Sequence, residues 1–289
     1  MALSEGSHRF WVAATDAAGN TSRTLLSEWT VDTTLPDPGL IYFSGDRFNG
    51  KFKTVVMNPD GSGIRELQPG WPGPQYQPAV SPDGGKIAYN FNTGSEIRVV
   101  NADGTGDHII DERYPDGQFQ APTWSPDGQH LAYVKGNGIA VDGQMITNDQ
   151  VGAESGPDWG VDNKIYYNNQ AGIFSMDPDG TNKTFVTQGG LPRLSPDSTT
   201  LAFTRHIPNE GYALFMLDLA TMNEQKLNVG EQVVDFNWSP DGSQLAFSNF
   251  NDDVYTVNSD GTNLVNVTND GFQFGHQDVY PDWGVTPAN

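Results

Sequence analysis

The sequence predicts an all-β protein in which six four-stranded sheets surround one axis, forming a six-bladed β-propeller. A ten-residue phrase recurs as WSPDGQHLAY at 124–133 and WSPDGSQLAF at 238–247, with weaker copies VSPDGGKIAY at 80–89 and LSPDSTTLAF at 194–203. The spacing of the copies is typical of propeller blades. We find no helical periodicity, whereas the turn-forming residues glycine (33) and proline (19) are abundant.

The repeat defines six units. The S-P-D-G turn, or a decayed copy of it, begins at 35, 81, 125, 160, 195 and 239, so the units are 35 to 46 residues long. A second signature supports this register, because a short segment that mostly starts with proline and often ends in tryptophan precedes the turns. Its copies are at 78–80, 122–124, 157–159, 192–194, 236–238 and 281–283. Units of this kind bury both sheet faces only by stacking around an axis.

Each blade is predicted to have strands A to D, where A is the P-x-W segment and B follows the S-P-D-G turn. In the second unit, strand B is predicted at 86–91 and strand C at 96–101, because both are rich in β-branched and aromatic residues. Strand D is predicted at 107–111, and strand A of the next blade at 119–124. Asp-Gly between strands C and D is a strong hairpin signal, since glycine accepts a positive φ.

The order of the strands also predicts how the ring closes. The chain enters the first blade at strand B, Leu40 to Ser44, and ends with a strand A, Asp278 to Trp283, that has no partner of its own. Pairing of these two segments removes two open sheet edges. We therefore expect the C-terminal strand to complete the first blade.

Residues 1–34 do not fit the repeat, which we assign to residues 35–289. The segment HRFWVAATDAAGNTS, followed by EWTVDTTLP, resembles the last two strands of a bacterial Ig-like module. We predict a hairpin of 8–15 with 26–33. Such modules occur in exported and surface proteins, so the resemblance implies a location outside the cytoplasm. We expect a monomer unless this hairpin pairs with a second chain through its edge.

The x-P-x-W-S-P-D-G-x-x-I/L-A-Y/F phrase, followed by a D/N-x-D-G turn, resembles the TolB-like propeller repeats over about residues 35–284. The resemblance implies the fold. It implies little about function, because similar repeats occur in the Pal-binding periplasmic protein TolB, in oligogalacturonate lyases and in peptidase propellers. The expected location is periplasmic, at the cell surface or secreted.

Composition narrows the range of partners. Lys and Arg total 15 and Asp and Glu total 36, so the net charge is −21. Such a surface repels nucleic acid and anionic membranes, and we expect neither as a partner. No apolar run approaches 18 residues, so we expect no membrane insertion. The chain has no cysteine, which excludes disulfides and Cys-based metal sites or nucleophiles.

Strand alternation divides the loops between two ends. The short A–B and C–D turns share the turn end, and the longer B–C and D–A connections share the loop-rich end, which we predict to be the binding side. Aromatic and arginine side chains there are interface anchors, although single rings also pack under their own loops. The predicted binding residues are Arg47, Phe48, Trp71, Arg113, Tyr114, Phe119, Glu154, Arg205, His206, Phe250, Phe272, Phe274, His276 and Asp278.

Polar residues begin several of the A strands. Gln75, Glu154, Asp235 and Asp278 are candidates for a polar mouth near the axis that holds water or a structural cation. The alternative is that these are hydrogen-bonded structural groups. We expect no other cofactor, since the acids of the D-x-D-G turns stop after two positions, short of a calcium loop.

Catalytic motifs are missing from the sequence. There is no H-E-x-x-H, Walker A or G-x-S-x-G pattern. Only His206 and His276 are placed at the loop-rich end, and a Glu154–Asp278 pair is the remaining acid/base candidate. We therefore predict a non-catalytic scaffold that binds a protein or a glycan. The alternatives are a polysaccharide lyase or hydrolase, and a structural spacer in a large surface protein.

Overall fold

The computed structural model describes residues 6–15, 21–31, 37–48, 50–68, 73–112, 119–147, 154–269 and 276–287. The chain forms two compact units, residues 1–37 and 38–288. Every regular element in the described part of the chain is a β-strand. No helix there is long and apolar enough to cross a membrane.

The N-terminal unit contains an antiparallel hairpin of β1 (Gly6–Thr15) and β2 (Thr21–Val31). The predicted hairpin is present, but its second strand begins five residues earlier than 26. The reason is that pairing continues inward as far as Thr15 with Thr21. Residues 32 and 33, the end of the predicted strand, lie outside the described residues. Membership of an Ig-like module stays a prediction.

The second unit is a six-bladed propeller of four-stranded antiparallel sheets, as predicted. Blades 1 to 3 contain β3 (Leu40–Gly45), β4 (Lys53–Met57) and β5 (Arg65–Glu66); β6 (Gln75–Val80), β7 (Lys86–Phe91), β8 (Glu96–Asn101) and β9 (His108–Glu112); and β10 (Phe119–Trp124), β11 (Leu131–Lys135), β12 (Gly138–Val141) and β13 (Gln144–Met145). Blades 4 to 6 contain β14 (Ser155–Trp159), β15 (Ile165–Asn169), β16 (Gly172–Met176) and β17 (Thr184–Thr187); β18 (Gly190–Leu194), β19 (Thr200–Ile207), β20 (Gly211–Asp218) and β21 (Glu224–Leu227); and β22 (Val233–Trp238), β23 (Gln244–Asn249), β24 (Val254–Asn258) and β25 (Val265–Asn266).

The last strand, β26 (Asp278–Gly284), completes blade 1 by pairing antiparallel with β3. Trp283 lies opposite Ile41, and Val279 lies opposite Ser44. The predicted closure is therefore confirmed. It leaves the first and last parts of the repeat joined in one sheet.

The recurring phrase encodes a turn with its own hydrogen bonds. The buried hydroxyl of Ser125 donates to Asp127 Oδ1 at 2.6 Å and accepts the backbone N–H of His130 at 2.9 Å. The backbone N–H of Gly128 donates to the carbonyl oxygen of Ser125, and Gly128 has φ +66°. Serine, aspartate and glycine each have a separate role in this turn, which explains why the sequence repeats all three.

The core lies between blades. One cluster joins Ile97 and Val99 of blade 2 to Leu131, Tyr133 and Ala140 of blade 3, all nearly inaccessible to solvent. Burial of one such large apolar side chain contributes roughly 1.5–3 kcal/mol relative to exposure. Each blade therefore depends on its two neighbours, as the repeat period implies.

A β-bulge interrupts strand A in every blade, near the residue that precedes the P-x-W segment. In five blades this residue is followed by a proline and has a positive φ; these are Gln77, Ala121, Gly156, Leu191 and Tyr280. In blade 6 the corresponding residue is Asp235. It is followed by Phe236 instead of proline, and it does not have a positive φ. Bulges re-aim the side chains that follow them. Here the residue two positions after the bulge faces the axis of the ring.

Candidate functional site

The A strands surround a central channel of about 240 Å³. Each blade contributes to it the middle residue of its P-x-W segment. In ring order from blade 1, these residues are Asp282, Ala79, Thr123, Asp158, Arg193 and Asn237. The third residues of four A strands also line the channel; they are Gln77, Ala121, Asp235 and Tyr280.

Two opposite blades carry an identical pentapeptide, PDWGV, at 157–161 and 281–285. Its carboxylates make equivalent bonds, because each accepts a backbone N–H from the next blade. Asp158 Oδ2 accepts from Leu194 at 2.6 Å, and Asp282 Oδ2 accepts from Val80 at 2.5 Å. Each Oδ1 faces a polar side chain of the preceding blade, Thr123 or Asn237. The channel therefore has an approximate two-fold arrangement of carboxylates.

Among the described residues, three carboxylates and one arginine line the channel. Arg193 Nη2 lies 3.4 Å from Asp235 Oδ1. Burial raises the pKa of Asp282 to about 6, even though the Val80 N–H and the Arg193 charge act in the opposite direction. Burial also raises the pKa of Asp158 and of Asp235, again opposed by Arg193. The lining therefore favours an additional positive charge.

The turn end of the channel has an apolar rim, here called the collar. It consists of the second residue of the five A–B turns and of the equivalent residue after β26; these are Pro82, Pro126, Val161, Pro196, Pro240 and Val285. The collar borders a further space of about 270 Å³, which shares Asp158 with the channel. A ligand at the turn end therefore meets apolar side chains first and carboxylates deeper in the channel.

At the loop-rich end, several predicted binding residues pair within the protein. Arg47 Nε donates to Asp278 Oδ1 at 3.2 Å, and its guanidinium lies 5.5 Å from the ring centre of Phe43. Phe48 packs against the core cluster between blades 6 and 1. His276 Nδ1 lies 3.6 Å from Asp46 Oδ1. These side chains stabilise the closure of the ring.

Three of the four residues suggested for a polar mouth do not border the channel. Gln75 and Asp278 are buried at the first position of their A strands, and Glu154 is buried immediately before its own. Gln75 Oε1 accepts the backbone N–H of Thr54, and Glu154 accepts the hydroxyl of Thr147. Of the four, only Asp235 lines the channel. Glu154 and Asp278 belong to opposite blades, so the geometry does not assemble them as an acid/base pair.

Blade 5 holds two of the predicted binding residues, and blade 6 a third. Arg205 donates to both carboxylate oxygens of Glu224, at 2.8 and 3.0 Å, and stacks on two phenylalanine rings. His206 makes an edge-to-face contact with Tyr212 at 5.3 Å between ring centres. Phe250 is 61% exposed.

Five predicted anchors, Trp71, Arg113, Tyr114, Phe272 and Phe274, lie outside the described residues. For Phe119 only the backbone is described. Sequence reasoning missed the channel residues Asp158, Arg193 and Asp282 as a site. The duplicated pentapeptide PDWGV was the available signal, since neither copy needs its aspartate for a turn.

Within the described residues, no three His, Cys, Asp or Glu side chains converge as a metal-binding group would. The cation suggested for the axis stays a prediction. Two carboxylates, one Arg–Asp pair and an apolar rim instead form a site suited to an organic cation.

Six blades around an acidic channel define a propeller scaffold, and the comparisons place it among TolB-like folds. TolB from Acinetobacter baumannii superposes with a TM-score of 0.73 at 18% identity, covering 98% of this chain and 80% of that one. A family described as the dipeptidyl peptidase IV (DPP IV) N-terminal region matches residues 195–285. No curated protein matches the sequence.

Two further structures share the fold. The nidogen/laminin complex has a TM-score of 0.66 at 12% identity, covering 79% of this chain and 92% of that one. An oligogalacturonate lyase in complex with manganese has a TM-score of 0.56 at 12% identity, covering 91% and 86%. At these identities the likeness establishes the propeller and leaves ligand and chemistry open.

Proposed function

We propose that the protein is a non-catalytic recognition scaffold that works outside the cytoplasm, exported or displayed at a bacterial cell surface. In this proposal, a partner protein enters the turn end of the channel with a lysine or arginine side chain. The observation that carries the proposal is the set of three carboxylates, Asp158, Asp235 and Asp282, that line the channel around one guanidinium.

Charge balance explains the preference for a cation. Buried carboxylates are costly unless a positive charge or hydrogen bonds compensate them. Here burial raises the pKa of all three, so the existing compensation is incomplete. A partner's ammonium or guanidinium supplies the missing charge in a partly desolvated site, where such a contact is stronger than in water. The apolar collar fits the flanking part of a peptide.

The expected location outside the cytoplasm has two supports. The fold is shared with TolB proteins, and the first 34 residues resemble a module of exported proteins. The net charge of −21 is compatible with a protein that meets basic partners and avoids anionic membranes.

The loop-rich end is the second candidate surface, for a protein or a glycan. Phe250 and Tyr212 expose 61% and 47% of their surface there. Exposed aromatic side chains anchor both protein and sugar ligands. The lyase alternative finds less support, because His206 contacts Tyr212 and His276 lies beside Asp46, on different blades. The lyase alternative would be supported by activity on acidic polysaccharide that disappears in His206→Ala or His276→Ala.

Peptide selection tests the proposed function. A random peptide library is selected on the wild-type protein, and binding is then measured for a variant with Asp158→Asn and Asp282→Asn. We expect selected peptides to share a lysine or arginine and to bind the variant at least about tenfold more weakly. The control carries Asp103→Asn and Asp260→Asn, an equal change of charge in exposed C–D turns at the same end. Peptides without a basic residue, or equal binding to both variants, would refute the proposal.

A further inference from the structure

Blade 5 differs from the other blades in the length of its central hairpin. Strands β19 and β20 have eight residues each, whereas the B and C strands of the other five blades have four to six. The extra length carries His206 and Tyr212, which are cross-strand partners near the tip. Their edge-to-face contact restricts the orientation of the tyrosine ring. The hairpin therefore presents a partly fixed aromatic side chain at the loop-rich end.

Tyr212 borders a cleft of about 390 Å³ between this hairpin and the connection at 228–232. The volume lies within the roughly 300–1,000 Å³ range of small-molecule sites. Buried Val229 and Val233 anchor the connection in the core. Between them, Gly230 has φ +72° and no atom within 4 Å of the position of a Cβ. The connection is therefore held at both ends, and the space beside Gly230 is open to a ligand.

The walls of the cleft combine one aromatic ring with several polar groups. Lys226 is paired with Glu210, and Glu231 Oε2 accepts from the amide of Asn249 at 3.3 Å. Gln232 approaches Gly211 so closely that any side chain on Gly211 would collide with it. A single exposed ring beside exposed carboxylate, amide and ammonium groups does not suit an apolar ligand. It suits a molecule with one apolar face and many hydroxyl groups.

We infer that this cleft binds a neutral saccharide unit, which stacks on Tyr212 and hydrogen-bonds to Glu231, Gln232 and Lys226. The inference rests on the scaffold function proposed for the loop-rich end and names its ligand class. Neutrality follows from charge. The cleft holds two carboxylates and one ammonium, and the whole chain carries −21, so an anionic sugar is repelled. His206 acts as a positioning residue, because it contacts the ring of Tyr212.

The test uses the full chain with three neutral hexasaccharides, of glucose, mannose and xylose, and with polygalacturonate as the anionic comparison. Binding is followed by backbone NMR shifts and by calorimetry. We expect at least one neutral hexasaccharide to bind at millimolar or lower concentration and to shift Gly211, Tyr212 and Gly230. Tyr212→Ala is expected to weaken binding at least about tenfold, and Tyr212→Phe no more than about threefold.

Phe185→Ala supplies the matched control. Phe185 is a similarly exposed aromatic residue on the outer strand of blade 4, and its removal is expected to leave saccharide binding unchanged. Absence of binding by all three neutral sugars, stronger binding of polygalacturonate at the same residues, or an unchanged affinity in Tyr212→Ala would overturn the inference. The variant with Asp158→Asn and Asp282→Asn separates the two proposals, since it is expected to lose peptide binding and keep saccharide binding.

Discussion

The backbone N–H of Val161 donates a hydrogen bond to Ser198 Oγ at 2.8 Å, joining the A–B turns of blades 4 and 5. At equivalent joints a proline packs on a glycine. A Cβ on Gly242 would lie 3.4 Å from Pro196 Cδ, and one on Gly128 would lie 3.6 Å from Pro82 Cδ. Valine has the N–H that proline lacks, and serine has the acceptor that glycine lacks. The two departures from the repeat therefore compensate each other.

A double-mutant cycle measures this compensation. Ser198→Ala is expected to reduce the free energy of unfolding by about 0.5–1 kcal/mol, because it removes the acceptor of an exposed hydrogen bond. In a Val161→Pro background, where the donor is already gone, the same change is expected to cost close to nothing. Urea unfolding gives both values. An equal cost in the two backgrounds would mean that the bond contributes nothing to the joint.

The tryptophans that precede the A–B turns are expected to differ in how much they stabilise the fold. Trp238 Nε1 donates to the carbonyl of Arg193 at 3.1 Å, and Trp124 Nε1 donates equivalently to Ala79 at 3.0 Å. The indole N–H of Trp159 is buried without an acceptor, while its ring stacks near His130. We expect Trp238→Phe to cost about 2–3 kcal/mol from the lost bond and the cavity, and Trp159→Phe less than about 1 kcal/mol.

Guanidinium unfolding followed by circular dichroism compares these two variants, each serving as the control of the other. Both exchange the same ring at the same repeat position, so the volume removed is the same, with Trp238 buried and Trp159 half-buried. If Trp159→Phe proved as costly as Trp238→Phe, the missing hydrogen bond would have no energetic meaning.

The blades could be located from the sequence because each is encoded by local signals. The strands predicted at 86–91, 96–101 and 119–124 have these bounds in the structure, and strand D is displaced by one residue. Turn residues and β-branched runs specify a blade without reference to the rest of the chain. Closure was predictable for a related reason, since an unpaired strand at each end of a repeat needs a partner.

The lining of the channel could not be read from the sequence in the same way. The bulge determines which residue of strand A faces the axis. Residues as different as Gln77, Ala121 and Leu191 occupy the bulge position. The bulged residue itself varies, and its constant companion is the proline that follows it in five blades. The polar residues at the start of the strand were therefore assigned to the axis, whereas the bulge directs the middle residue of the P-x-W segment there. Pairs such as Arg47 with Asp278, 231 residues apart, leave no local signal either.

The bulge itself predicts an unusual effect of glycine. Ala121 has φ +47°, a conformation that costs alanine about 1 kcal/mol and glycine almost nothing. Ala121→Gly is expected to raise the free energy of unfolding by about 0.5 kcal/mol, and the bond from its N–H to Gln77 Oε1 is retained. Ala79→Gly, at a buried position that does not have a positive φ, is expected to lower it by about 1 kcal/mol. Thermal unfolding of both variants gives the sign of each change in stability. Destabilisation by Ala121→Gly would contradict backbone strain at Ala121.

Titration of the channel gives the stability an unusual dependence on pH. The pKa of Asp282 is about 6 in the folded protein, above its unfolded value near 4, so the folded state binds the extra proton. Its contribution is fully present below about pH 4 and is lost as pH rises through about 6. Turn aspartates act in the opposite sense. Hydrogen bonds from Thr105 and Thr262 lower the pKa of Asp103 and Asp260, so their contribution is lost as pH falls below about 4.

We therefore expect the free energy of unfolding to be greatest near pH 4. Between pH 4 and 7 it should fall by an amount on the order of 2 kcal/mol for Asp282 alone, since each pKa unit corresponds to about 1.4 kcal/mol. Asp282→Asn removes the titrating group, so its unfolding curve measured across this range should be flatter. The pKa of Asp103 is lowered, so this group does not titrate above pH 4. Asp103→Asn should therefore leave the decline above pH 4 unchanged. A wild-type decline that persists undiminished in Asp282→Asn would show that the channel carboxylate is not its source.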